Sequence, residues 1–225
     1  MSSDILSPLQ SRSNREADGV ACLQNVVKEL IVSEVGLETQ GEMVVHIGSG
    51  TGYYTALLAH VLGRRGTVIA YEVDTALAAR ASENLKDYPQ VRVISGNSYE
   101  LPAHAVDAMF VNCGVTHPAM EWLACLSDCG RILFPVTASE PGDTVGFGGM
   151  YLAVRTGDNF EVNHISGVGV FHCIGQRDEQ LNLELRSKEP ADWRRPRALR
   201  LDHHEKVESC WLHAGTCCMS TLPLS

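Results

Sequence analysis

The chain has 225 residues and carries 27 acidic against 18 basic side chains, a formal net charge of −9. That balance excludes wholesale, sequence-independent attraction to nucleic acid or to an anionic membrane surface. With 44% apolar and 20% charged residues the composition is that of an ordinary globular protein, and a chain of this size buries roughly 70% of its unfolded surface, so a core needs no disulfide or metal staple.

No apolar run approaches the roughly 20 residues of a membrane helix. Residues 1–19 are polar and carry both charge signs, which predicts a flexible N-terminus without the apolar core of a secretory signal, and hence a cytoplasmic protein. Eight cysteines (Cys22, Cys113, Cys125, Cys129, Cys173, Cys210, Cys217 and Cys218) lie without paired spacing, several in apolar segments, and are expected to be reduced and mostly buried.

From Val20 to Val35 the apolar residues Leu23, Val26, Val27, Leu30 and Ile31 recur at helical steps, and Gly36 can end that helix. Met43–Ile47 then reads as a buried strand, Gly48–Gly52 as a turn, and Tyr53–Leu62 as a helix. The alternation continues with strand Thr67–Tyr71, helix Thr75–Leu85, strands Val91–Ser95 and Val106–Val111, helix Ala119–Leu126 and strand Arg131–Val136. Strands separated by helices pair in parallel, so the expected fold is α/β, with a doubly wound, mostly parallel, seven-stranded sheet. Met150–Arg155 and Asn163–Cys173, joined through Thr156–Asn159, predict an antiparallel hairpin at the C-terminal edge of that sheet. The expected division is a flexible 1–19, a binding domain over 20–180, and an extension over 181–225 packing on it.

A glycine-rich turn between a first strand and its helix lets a ligand approach the backbone closely. The glycines fall at 48, 50 and 52, not in the G-x-G-x-x-G order of a nicotinamide site, and suit a ligand without a pyrophosphate. Glu72 ends the second strand, where a carboxylate can accept hydrogen bonds from both ribose hydroxyls of an adenosine cofactor. Asn97 and Asn112 follow the third and fourth strands at their carboxyl ends, where open parallel sheets bind ligands. Singly, each of these is a turn residue; in this order they make a cofactor crevice.

The run VVHIGSGTGYYTALLAHVLG, followed by TVIAYEVD, LAARASENL, VRVISGNSYE, VDAMFVNCG and GRILFPV, resembles the protein-L-isoaspartate O-methyltransferase branch of the class I S-adenosylmethionine-dependent methyltransferases. The resemblance is continuous over residues 43 to about 137 and weaker to about 175. It implies that the loop Gly48–Gly52 (Gly48, Ser49, Gly50, Thr51, Gly52) lies under the methionine portion of S-adenosyl-L-methionine, with Glu72 on the ribose and Asn97 beside the adenine; Tyr53, Ser98 and Asn112 complete the expected cofactor-binding set. The pattern departs at His46, where the family usually has an acid, and at Gly96-Asn-Ser-Tyr99, where it usually reads G-D-G-Y. No segment of the family form T-I-S-x-P, which seats the isoaspartyl carboxylate, precedes Val44.

The implied activity is methyl transfer to an oxygen acceptor, a carboxylate on a protein or peptide. A small-molecule acceptor and a non-catalytic cofactor-binding protein remain alternatives, as does a nicotinamide-dependent oxidoreductase, which the glycine spacing disfavours. Methyl transfer is an in-line displacement helped chiefly by alignment and water exclusion. A carboxylate needs no base; a hydroxyl acceptor does, and His117, just past the fourth strand, is the best placed. His46, within an apolar strand, reads as a core histidine.

Residues 186–200 hold six basic and two acidic side chains and read as a solvated face, with no nucleic-acid partner expected. His203, His204, Cys210, His213, Cys217 and Cys218 lack a paired C-x2-C knuckle, so no metal site is expected, and Trp211 is expected to pack on the sheet.

Overall fold

The structure is a computed structural model that describes residues 41–97, 101 and 106–224. The helix expected over residues 20–35, the flexible segment 1–19, Cys22 and Ser98 lie outside the described residues.

Strand β1 (Met43–Ile47) is buried along nearly its whole length, as a central strand covered on both faces must be. It is followed by helix α1 (Tyr53–Leu62), strand β2 (Thr67–Glu72), helix α2 (Thr75–Asn84), and strands β3 (Val91–Ser95) and β4 (Val106–Val111). A short helix α3 (Met120–Cys125) leads into β5 (Leu126–Ala138). Strands β3, β2, β1, β4 and β5 are parallel neighbours in that order, so the chain reverses direction across the sheet between β1 and β4. Helix α1 packs Leu58, Ala59 and Leu62 against Val44, Ala108, Phe110 and Leu133 on one face; α3 packs Trp122 and Leu123 into the core on the other.

The rest of the sheet is larger and more mixed than the sequence predicts. Strands β6 (Val145–Thr156) and β7 (Asn159–Phe171) form the expected hairpin, closed by Gly157 at φ +63°, the left-handed geometry such a two-residue turn requires. It is not at an edge, however. After helix α4 (Glu179–Arg186), strands β8 (Ala198–Arg200), β9 (Cys210–Ala214) and β10 (Cys217–Ser220) add on beyond β7, giving ten strands among the described residues instead of seven. The cause is that β8 pairs with Phe160 and Glu161 of β7, leaving no free edge there. Trp211 stands within β9, 4% exposed, and packs on the sheet as expected, its ring 6.0 Å from that of Tyr151 on β6.

β5 also begins earlier than its apolar run. Leu126 pairs with Val106, the chain kinks through Cys129 at φ +60°, and regular pairing with β4 resumes only at Arg131. Arg131 is itself buried and ion-paired to Glu42 at 3.2 Å, which permits a charged side chain in the sheet.

Candidate active site

The reversal between β1 and β4 opens a crevice at the carboxyl ends of the parallel strands, where this class of sheet binds ligands. A cavity of about 350 Å³ lies there, lined on one side by Ile47, Gly48, Gly50, Tyr71, Glu72 and Asn97, and on the other by Phe171, His172, Cys173, Ile174 and Gln176. Asn112, Cys113 and Trp122 also reach it.

The glycine loop is held by its own amides. Gly48 and Ser49 both donate to the Tyr71 carbonyl, at 2.9 and 3.1 Å, Gly52 donates to Ser49 O at 2.9 Å, and Gly50 donates to Glu72 Oε2 at 2.7 Å. With those N–H groups taken, the loop offers a surface bare of side chains instead of the row of free amides that holds a phosphate. Two of its glycines differ in role. Gly50, at φ +56°, lines the cavity and a Cβ there would meet no protein atom within 4 Å. Gly52, at φ +89°, is tight against the second helix: a Cβ would lie 2.8 Å from Leu85 Cδ1. Asn84 Nδ2 donates to Thr51 O at 2.9 Å and joins the same helix end to the loop.

Glu72 is 7% exposed and its second oxygen accepts the Asp74 amide at 3.0 Å. Asp74 in turn caps α2, accepting from Ala76 N at 2.8 Å and Leu77 N at 2.9 Å. A carboxylate offers about four acceptor positions, so two remain on Glu72 toward the cavity. Asn97 is exposed and Asn112 half-buried, its Nδ2 3.5 Å from Gly48 O. Ser49, Thr51, Gly52 and Tyr53 do not line the cavity; Ser49 is buried with its Oγ unpartnered.

The opposite wall carries no signal that the sequence analysis used. Its strap, residues 171–177, is fastened to the β4 exit: Gly114 N donates to Phe171 O at 2.7 Å and Cys173 N to Gly114 O at 2.9 Å. Arg177 then donates to Gly114 O at 3.2 Å, Thr137 Oγ1 at 3.0 Å and Asn182 Oδ1 at 2.9 Å. Hydrogen bonding to Cys173, burial and the nearby Glu72 push the Cys113 thiol well up, which favours the neutral thiol in the cavity wall.

His117 is not among the cavity-lining residues. Its Nδ1 meets Thr116 Oγ1 at 3.1 Å, and its Nε2 and carbonyl face the Gln176 amide, which does line the cavity. Burial holds its pKa below the usual value. The histidine in the wall is His172, whose Nε2 is buried without a partner and whose pKa burial and Arg177 also lower.

With the geometry in place, comparison with known proteins decides the family. Residues 22–146 match the family of protein-L-isoaspartate(D-aspartate) O-methyltransferases. The chain belongs to that family. The protein-L-isoaspartate O-methyltransferase of Korarchaeum cryptofilum is 30% identical over 160 residues, 65% of this chain and 70% of that protein. The protein-L-isoaspartate O-methyltransferase 2 of Shewanella sediminis is 31% identical over 137 residues, 58% of this chain and 52% of that one. In the Thermotoga maritima family member the match covers 35% of the relative, so the chain spans about a third to a half of the length of several relatives. A solved protein-L-isoaspartate O-methyltransferase superposes with a TM-score of 0.56 at 23% identity, over 73% of this chain and 50% of that one. The Plasmodium falciparum structure described as a putative family member in complex with S-adenosyl-L-homocysteine gives 0.51 at 17%, over 69% and 72%. Both likenesses confirm the α/β methyltransferase-type fold of this family member.

Proposed function

We propose that the chain is an S-adenosyl-L-methionine-dependent O-methyltransferase whose acceptor is a carboxylate on a protein or peptide. The observation that carries this reading is the cavity at the β1/β4 reversal, in which a side-chain-free glycine wall, the Glu72 carboxylate and Asn97 converge. The residues present fit the cofactor: Gly50 leaves open space at the wall, and Glu72 keeps acceptor positions for ribose hydroxyls. The cofactor, when bound, supplies a sulfonium methyl group to an oxygen nucleophile.

In this reading Gly48 and Gly50 admit the methionine portion, Glu72 takes the ribose, and Asn97 and Asn112 flank the base. Trp122, Phe171 and Ile174 supply apolar surface to the cavity lining. Because a carboxylate is ionised at neutral pH, alignment supplies most of the acceleration, and no buried base is needed beside the nucleophile. The shared family and the structural relative described with S-adenosyl-L-homocysteine support the cofactor assignment. Seven free cysteines among the described residues support a reducing, cytoplasmic setting.

The test has two stages. Calorimetry with S-adenosyl-L-homocysteine is expected to show one site, weakened by Glu72→Ala. Incubation with methyl-labelled cofactor is then expected to label a protein or peptide carboxylate above a panel of small hydroxyl acceptors, with poor turnover of ordinary isoaspartyl peptides because no T-I-S-x-P segment precedes Val44, and with the label released by mild base as from an ester. Binding without transfer to any carboxylate would overturn the acceptor; absence of binding would overturn the whole reading.

A further inference from the structure

The hairpin at the outer edge of the sheet gathers four metal-ligating side chains far along the chain from the glycine loop. Cys210 and His213 stand on β9, Cys218 on β10, and His204 on the irregular segment 201–209 that leads into the hairpin. One donor atom of each lies within 4.8 Å of those of the other three. Donors around a tetrahedral zinc, at about 2.0–2.3 Å from the ion, stand roughly 3.3–3.8 Å apart, so small side-chain rotations close this set on one centre.

The spacing conceals the cluster because the strand pairing creates it. Cys218 lies directly opposite His213 across the hairpin. Cys210 and His213 are three residues apart, which in a regular strand puts them on opposite faces. A register shift intervenes: Met219 pairs with Leu212 but Ser220 with Cys210, so Trp211 is the extra residue of a bulge and the two ligands return to one side.

Three contacts orient the donors. His204 Nδ1 is 3.0 Å from the Asp202 carbonyl, an acceptor, which makes Nδ1 the N–H donor and leaves the lone pair on Nε2, 3.4 Å from Cys210 Sγ. Holding the remote ring nitrogen on a carbonyl in this way is how metal-bound histidines are fixed. Cys210 Sγ accepts the Val207 amide at 3.3 Å, a hydrogen bond that favours a thiolate there. His213 Nδ1 is buried and has no hydrogen-bond partner.

We propose that His204, Cys210, His213 and Cys218 form a structural site for one tetrahedral divalent metal, with zinc the ion that a two-thiolate, two-imidazole donor set selects. Binding forms two metal–sulfur and two metal–nitrogen bonds, and the two thiols release their protons to solvent while the imidazoles stay neutral. Two thiolates balance the double charge of the ion, so no net charge is buried. All four positions are filled by the protein, which leaves no place for a reacting water. The ion would clamp segment 201–209, which has no strand or helix of its own, onto the β9–β10 hairpin. None of the four residues lines the cofactor cavity.

The test uses the full chain, purified without chelator under reducing conditions. Elemental analysis is expected to find one zinc per chain, and Cys218→Ser and His213→Asn to lower metal affinity by at least about tenfold, whereas Cys217→Ser and His203→Gln leave it unchanged. Cobalt(II) added to stripped wild-type protein is expected to give thiolate charge-transfer and tetrahedral visible bands, and stripping is expected to lower Tm by roughly 10 °C without altering affinity for S-adenosyl-L-homocysteine. The cobalt arm needs no variant to fold. Reduced wild-type protein that takes up neither zinc nor cobalt, undiminished binding in Cys218→Ser, or a Cys210–Cys218 disulfide in the reduced preparation would each overturn the proposal.

Discussion

The Glu72 carboxylate holds the Gly50 amide at 2.7 Å, so the acid proposed to meet the ribose also sets the shape of the glycine loop. Its other oxygen holds the Asp74 amide at 3.0 Å, at the start of α2. One side chain therefore fixes the conformation of both neighbouring turns, and in the proposed function it links them to ligand recognition. Glu72→Ala is expected to weaken S-adenosyl-L-homocysteine by about 1–3 kcal/mol through lost charge-assisted hydrogen bonds. Glu72→Gln, which keeps one acceptor oxygen for Gly50, should fall between the two. Equal dissociation constants for wild type and Glu72→Ala in calorimetry would remove this residue from the site.

Gly50 and Gly52 separate binding from folding. A Cβ at Gly52 would sit 2.8 Å from Leu85 Cδ1 at a φ of +89°, whereas one at Gly50 meets no protein atom within 4 Å. Gly52→Ala should therefore cost about 1–3 kcal/mol of stability from overpacking and backbone strain. Gly50→Val should fold, with a smaller loss from its left-handed φ, yet bind no cofactor. Urea unfolding of both variants beside calorimetry of Gly50→Val checks the pair; full affinity in Gly50→Val would show that the ligand does not use this wall.

His46 makes stability depend on acid. The ring is fully buried, stacks on Phe110 with centroids 5.0 Å apart, and bonds Thr55 Oγ1 through Nδ1 at 2.8 Å, while Nε2 has no partner. Burial depresses its pKa from 6.5 to about 3. Between those values the unfolded chain binds a proton that the folded chain refuses, so the contribution is intact above pH 6.5 and is lost as pH falls toward 3. The slope from this group approaches about 1.4 kcal/mol per pH unit. His46→Gln, which cannot titrate and keeps a hydrogen-bonding atom near Thr55, should flatten that part of a Tm-versus-pH curve. Parallel curves for the two proteins would show that other groups drive acid unfolding.

Half of the cavity was legible in the sequence because it is built from contiguous strand ends. Periodicity located β1, α1, β3 and β4, and chain order alone brought Gly48, Gly50, Glu72, Asn97 and Asn112 to one end of the sheet. The facing wall was not legible, because Phe171–Gln176 arrives through a hairpin and is fastened by Arg177 to Gly114 and Thr137, contacts that no local pattern encodes. The convergence of Cys210 and His213 was hidden for a similar reason: the bulge in β9 reverses the side-chain alternation that a strand pattern assumes.

Two histidines lie at or behind the cavity wall. His117 packs its ring on Thr116 and Gln176 behind the wall, whereas His172 lines the wall with a buried, unpartnered Nε2. Burial lowers both pKa values, so both rings are neutral at pH 7 and either could accept a proton. A carboxylate acceptor gives them none to accept. For that acceptor the rate of label transfer should be flat from about pH 6.5 to 8, and His117→Ala should change kcat less than about threefold, since positioning supplies the acceleration. His172→Gln should then act mainly on the acceptor KM, through the shape of the wall. A hydroxyl acceptor reverses the expectation: the proton must leave as the methyl arrives, so an acid limb should appear below pH 6.5, and loss of the base should lower kcat by roughly 100-fold. Initial rates across pH for wild type, His117→Ala and His172→Gln distinguish the cases. An acid limb in the wild type that His172→Gln abolishes would replace the carboxylate with a hydroxyl and make His172 the base; the same result in His117→Ala would mean that Gln176 swings aside to admit His117 to the cavity.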